Sequence, residues 1–139
     1  MIKFTVPGNP VAKGRARSFI RNGKIGHYTP NKTASYENLV KIMAAEAMSG
    51  SNPIDEAVLM NVGLYVQIPS SWAKKKQAQA RNGEVRPTTK PDCSNTVKGI
   101  EDALNGVVYL DDKQIVELSV KKYYSDLPRA EIEIKSLCE

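Results

Sequence analysis

Four aspartates, an asparagine and a lysine (Asp92, Asn95, Lys98, Asp102, Asp111 and Asp112) fall in one short stretch of a chain that is otherwise basic. Carboxylates and an amide beside an ammonium group suit a divalent metal acting on a phosphate backbone. Mg²⁺ prefers oxygen ligands and keeps several waters, so two or three carboxylates plus a substrate phosphate are enough to hold it. The metal supplies hydroxide and polarises a phosphoryl oxygen, while a nearby lysine neutralises charge growing on the phosphate or leaving oxygen. Asp92 and Asp112 are the candidate ligands and Lys98 the candidate cation.

These residues need a helix to position them. The pattern predicts one from Ser94 or Asn95 to Leu104, ended by Asn105-Gly106. At about 100° per residue, Val97, Ile100 and Leu104 share one side, and Asn95, Lys98 and Asp102 lie nearly opposite. Asp92 precedes the first turn, where a carboxylate meets free backbone N–H groups, and a cap there is compatible with a ligand role. For Asp112 to approach Asp92 the chain must return, which pairing of Val107 to Leu110 along the sheet would achieve. The plainer readings are a turn at Asp111-Asp112 and a solvated i,i+4 pair at Lys98 and Asp102.

Around this helix, Ile2, Phe4 and Val6 alternate as a short strand stopped by Pro7-Gly8-Asn9-Pro10. Residues 11–30 form a basic arm carrying Lys13, Arg15, Arg17, Arg21 and Lys24 with no acid among them, a loop or loose hairpin centred on Asn22-Gly23. That composition favours phosphate contact by Lys13, Arg15 and Arg17. Helical spacing runs from Thr33 to about Ser49, and residues 57–68 alternate as a long core strand. Ser70-Ser71-Trp72 opens another helical segment, whose Lys74, Lys75 and Lys76 read either as a wet face or as a second phosphate-contacting patch. Val116, Leu118 and Val120, then Ala130, Ile132 and Ile134, predict two strands joined by a turn around Ser125 to Pro128. The order β, α, β, α, α, β, β implies an α+β fold with a mixed β-sheet.

At 139 residues the chain fits one domain, and 20 Lys plus Arg against 15 Asp plus Glu, net +5, favour a polyanionic partner. Cys93 and Cys138 read as free thiols in a reducing compartment, and His27, the only histidine, has no partner for a histidine-rich metal site. No apolar leader or membrane span is apparent, so a cytoplasmic protein is expected.

The run Lys90-Pro91-Asp92, Asn95, Lys98, Asp102-Ala103-Leu104-Asn105-Gly106, Asp111-Asp112-Lys113-Gln114 resembles the signature of RusA-type Holliday junction resolvases, endonucleases often carried by prophages. Lys13-Gly14-Arg15, Tyr28-Thr29-Pro30 with Thr33, Tyr36-Glu37, and Pro69-Ser70-Ser71-Trp72 with Lys74-Lys75-Lys76 resemble the Gram-positive and phage branch of that family, in the expected order. The resemblance implies a sheet with helices packed mainly on one face. It also implies a homodimer that binds four-way DNA junctions and makes paired nicks in opposing strands, using Mg²⁺ or Mn²⁺. By the same resemblance Asp92 and Asp112 occupy positions of acidic metal ligands and Lys98 that of the catalytic lysine, with Asn95 placing a water or a ligand. The family usually has Asp where this chain has Ser94, a neutral and poor ligand. Either Asp111 or Asp102 substitutes, or the chain is a junction-binding protein of the same fold with weak or lost catalysis.

Overall fold

Alternating apolar residues at 58, 60, 62 and 64 make the central strand. In the computed structural model, which describes residues 1–14, 17–28 and 31–138, this strand is β4 (Val58–Gln67), following β1 (Ile2–Pro7), β2 (Arg17–Arg21), β3 (Lys24–Tyr28) and α1 (Asn31–Met48). After it come α2 (Lys74–Arg81), α3 (Cys93–Leu104), a 3-10 turn at Asp112–Gln114, β5 (Ile115–Ser125) and β6 (Arg129–Ser136). The main sheet has the order β1-β6-β4-β5, with β4 parallel to β5 and the other pairs antiparallel, so the expected mixed sheet is present. A parallel neighbour needs a long crossover, and that crossover carries α2 and α3.

Val58, Met60, Val62 and Leu64 of β4 are buried with Phe4 and Val6 of β1 and with Ala130, Ile132 and Ile134 of β6. Against them α1 buries Tyr36, Val40, Ala44 and Met48, and α3 buries Val97, Ile100, Ala103 and Leu104. The α1 set recurs every four residues and the α3 set at three- and four-residue spacing, the stripe a helix must show to pack on a sheet. Burial pushes the Tyr36 hydroxyl up to about 12. The opposite sheet face is polar, with Tyr65 and Tyr123 stacked at 5.7 Å and the Arg129 and Arg86 guanidinium groups over those rings.

The basic arm contains a hairpin, β2 with β3, turning at Asn22 and Gly23 with φ of 53° and 72°, the left-handed pair of a type I′ turn. Residues 57–68 and the helix after residue 31 fall where the periodicity puts them. The strand predicted through Val116, Leu118 and Val120 is β5; it ends the sheet order, Val116 and Leu118 are 58% and 46% exposed, and a register shift at Val58/Leu59 leaves Val116 out of the pairing. Two local expectations need correction. α2 begins at Lys74, not at Ser70; Trp72 precedes it and packs edge-on against Tyr124 at 5.0 Å, with Lys76 Nζ over its ring. Val107 to Leu110 does not join the sheet but bridges to Ile54. Among the described residues no helix is long and apolar enough to cross a membrane.

Candidate active site

Asp92 caps α3. Its Oδ1 accepts the Asn95 N–H at 3.1 Å, its Oδ2 accepts the Asn95 side-chain amide at 3.3 Å, and its carbonyl accepts the Thr96 hydroxyl at 2.8 Å. The segment that delivers Asp92 is tied to the sheet, since Lys122 Nζ of β5 donates to the Thr89 and Pro91 carbonyls at 2.7 and 2.8 Å. The head of the helix is therefore fixed from both sides. Ser94 stands exposed in the first turn.

Further along the same helix, Lys98 Nζ lies 3.3 Å from Asp102 Oδ1 and 3.4 Å from Asp112 Oδ2. Asp112 arrives there by a short return. Gly106, at φ 77°, donates to the Tyr109 carbonyl, while Ile54 and the 108–110 segment exchange hydrogen bonds at 2.8 and 3.3 Å. Buried Tyr109 donates its hydroxyl to the Glu101 carbonyl at 2.8 Å, pinning the return to α3. Gln114 then locks the 3-10 turn, accepting from the Asp111 N–H and donating to the Ile54 and Glu56 carbonyls. Asp111 is thus held by its backbone next to Asp112.

Asp102 has a second cation. Lys13 Nζ sits 2.7 Å from Asp102 Oδ2 and 2.9 Å from Glu37 Oε1. The arm is docked there by its backbone, with Lys13 N–H donating to the Asn95 carbonyl and Gly14 N–H to the Thr33 hydroxyl. Gly99 faces this contact, and a Cβ on it would lie 3.5 Å from Lys13 Cβ, so the arm rests directly on α3. The result is an alternating row, Glu37, Lys13, Asp102, Lys98, Asp112, drawn from the arm, two helices and the return.

The row sets protonation. Burial alone pushes the Asp102 carboxyl up, but hydrogen bonds from Lys13 and Lys98 outweigh it and hold the group below its ordinary value. Burial likewise pushes Lys13 down, and its bonds to Asp102 and Glu37 reverse this and raise it. Lys98 is raised chiefly by its hydrogen bond to Asp102, so it is a standing ammonium at neutral pH. A depressed carboxyl contributes stability above its unfolded value and loses it as pH falls through the folded one; the raised lysines lose theirs only as pH climbs past their ordinary value. The stability gap between wild type and Asp102→Asn should therefore be full at neutral pH and close as pH falls through the acid range, below the ordinary carboxylate value. Denaturant titrations across that range check it, and parallel pH curves for the two proteins would refute the coupling.

Lys98 brings Asp102 and Asp112 together, whereas Asp92 and Asn95 stand at the head of the helix. Among the described residues no three His, Cys, Asp or Glu side chains are gathered to hold a metal, so Asp92, Asp111 and Asp112 are not drawn into one trio. Lys74, Lys75 and Lys76 are exposed on α2. Arg15 lies outside the described residues, as do the Arg17 side chain and Thr29-Pro30. Cys93 and Cys138 are free thiols, and His27 is exposed on β3. Lys13, expected to face phosphate, spends its ammonium group on two carboxylates. Glu37 had no assigned role in the sequence; its partner is 24 positions away, beyond any local spacing rule.

The chain matches the family model described as Endodeoxyribonuclease RusA over residues 7–135. It is 45% identical over 138 residues to a protein of Bacillus subtilis (strain 168) described as "Uncharacterized protein YqaN", covering 98% of this chain and 96% of that protein.

Proposed function

This chain belongs to the RusA endodeoxyribonuclease family, and from that we propose that it is a metal-dependent, structure-selective DNA endonuclease that resolves four-way junctions by paired nicks as a homodimer. The observation that carries the reading is Lys98 held as an ammonium between Asp102 and Asp112 on the outward side of α3. A two-fold dimer would present two such sites, matching the two opposing strands of a junction.

The donor set is compatible with Mg²⁺ or Mn²⁺ in kind, because Asp92, Asp112 and Asp111 offer hard oxygens. It is compatible in number as well, since one or two carboxylates with waters and a substrate phosphate are the usual Mg²⁺ arrangement. Asp112, with Asp111 beside it, would offer oxygens to an ion next to Lys98, and Asp92 would offer its carboxylate from the head of the helix. When bound, such an ion lowers the pKa of a water and polarises a phosphoryl oxygen. The chain's own part is to keep Lys98 charged and oriented, so that it offsets charge on the phosphate or leaving oxygen. Asp102 orients Lys98 and is itself restrained by Lys13 and Glu37. Asn95, bonded to Asp92, orients that carboxylate.

A second reading, a junction-binding protein with weak chemistry, is favoured by two observations: Ser94 puts a neutral hydroxyl on the first turn of α3, and no three carboxylates form a cluster among the described residues. Incubation of the protein with a four-way junction and Mg²⁺ decides between the two. The enzyme reading expects conversion to nicked duplexes, at a rate that Ser94→Asp changes by less than about threefold. Tight binding without conversion, together with a gain of tenfold or more in Ser94→Asp (about 1.4 kcal/mol), would establish the second reading instead.

A further inference from the structure

Beside the head of α3 lies a cleft of about 980 Å³, bounded by the stretch from Asn9 to Gly14, the start of α1 and the Lys90–Asp92 segment. It is lined by Asp92 and Asn95, and Lys98 is not among its lining residues. Three lysines line it, Lys13, Lys32 and Lys90, and Asp92 is the one acid on its described walls. These lysines are not equivalent. Lys13 is neutralised by Glu37 and Asp102. Lys32 and Lys90 are exposed, and among the described residues neither side chain forms an ion pair or hydrogen bond.

Two unpaired ammonium groups lining one groove are an arrangement that a polyanion neutralises. The setting adds to this in two ways. The first turn of α1, which carries Lys32 and Thr33, opens on the same space and contributes the positive end of its dipole. Pro10, Val11, Val66 and Pro91 give the groove an apolar floor, against which sugars and base faces lose water at little cost. Its volume is at the upper end of the roughly 300–1,000 Å³ of small-ligand clefts, room for a few nucleotides and not for a duplex.

We propose that this cleft takes one locally unpaired DNA strand, with Lys32 and Lys90 as its phosphate-binding cations, and leads that strand to Asp92. The inference rests on the endonuclease reading and specifies where its substrate strand runs. It also moves the phosphate contact expected of Lys13 to Lys32 and Lys90.

Binding of a labelled four-way junction and of a labelled oligothymidine, in chelator so that no cleavage intervenes, tests it across a range of KCl concentrations. Lys32→Gln, Lys90→Gln and the double variant are compared with wild type and with Lys41→Gln, an exposed α1 lysine outside the cleft. Each cleft lysine should account for about 0.7 of the slope of log K against log salt on the single strand. The double variant should bind roughly tenfold more weakly at moderate salt, with Lys41→Gln close to wild type. A double variant with the slope and affinity of Lys41→Gln overturns the cleft assignment and leaves the endonuclease reading standing. A wild-type protein that binds neither DNA overturns both.

Discussion

Asp112→Asn should reduce nicking of a four-way junction by about 10³-fold or more, while junction affinity stays equal or rises. Asparagine has the size of aspartate, so the return from α3 and the Gln114 lock of the 3-10 turn are kept. What disappears is an anionic oxygen 3.4 Å from Lys98 and a candidate metal ligand. With the metal chelated, removing a negative charge near the phosphates strengthens their electrostatic attraction or leaves it unchanged, and Lys98 retains Asp102. The cost in fold stability is small, because a part-exposed pair of this length is worth about 1 kcal/mol or less. Gel analysis of products with anisotropy on the same junction separates the effects. Nicking at the wild-type rate would remove Asp112 from the site.

Lys98→Met should lower the single-turnover rate on pre-bound junction by about 10² to 10³-fold, with affinity changed by less than about tenfold. Methionine keeps the unbranched stem and the helix propensity of lysine and deletes the ammonium alone. Asp102 remains paired with Lys13, so the helix face does not collapse. Lys98→Arg should recover part of the rate, since it restores charge with a different fork of donors. Because Asp102 raises Lys98 above its ordinary value, the wild-type rate should show no loss from lysine deprotonation anywhere in the neutral or mildly alkaline range. Wild-type turnover in Lys98→Met would contradict the role of transition-state cation.

How far the sequence led can be seen in α3. Its wheel separates Val97, Ile100 and Leu104 from Asn95, Lys98 and Asp102, and the structure buries the first group and leaves the second outward or half-exposed. Local rules suffice there, because period 3.6, a capping Asp92 and a closing Asn105-Gly106 act within one turn of each other. Edge position is not local. Val116 and Leu118 alternate like core residues, yet they lie on β5, which has no outer neighbour among the described residues, and both are exposed. The charge row is less local still. Lys13 meets Asp102 across 89 positions, and only the docking of the arm on α3 brings them together. A basic arm was legible; that its first lysine is held by two carboxylates was not.

The most direct test is to map nick positions on all strands of a synthetic mobile four-way junction, with Mg²⁺ and with chelator, beside a linear duplex of the same sequence. The expected result is paired nicks at symmetric positions in two opposing strands, dependent on Mg²⁺ and absent from the duplex. Equal cutting of the duplex, cutting that survives the chelator, or binding with no nicks at all would contradict a metal-dependent junction endonuclease built on Asp92, Lys98 and Asp112.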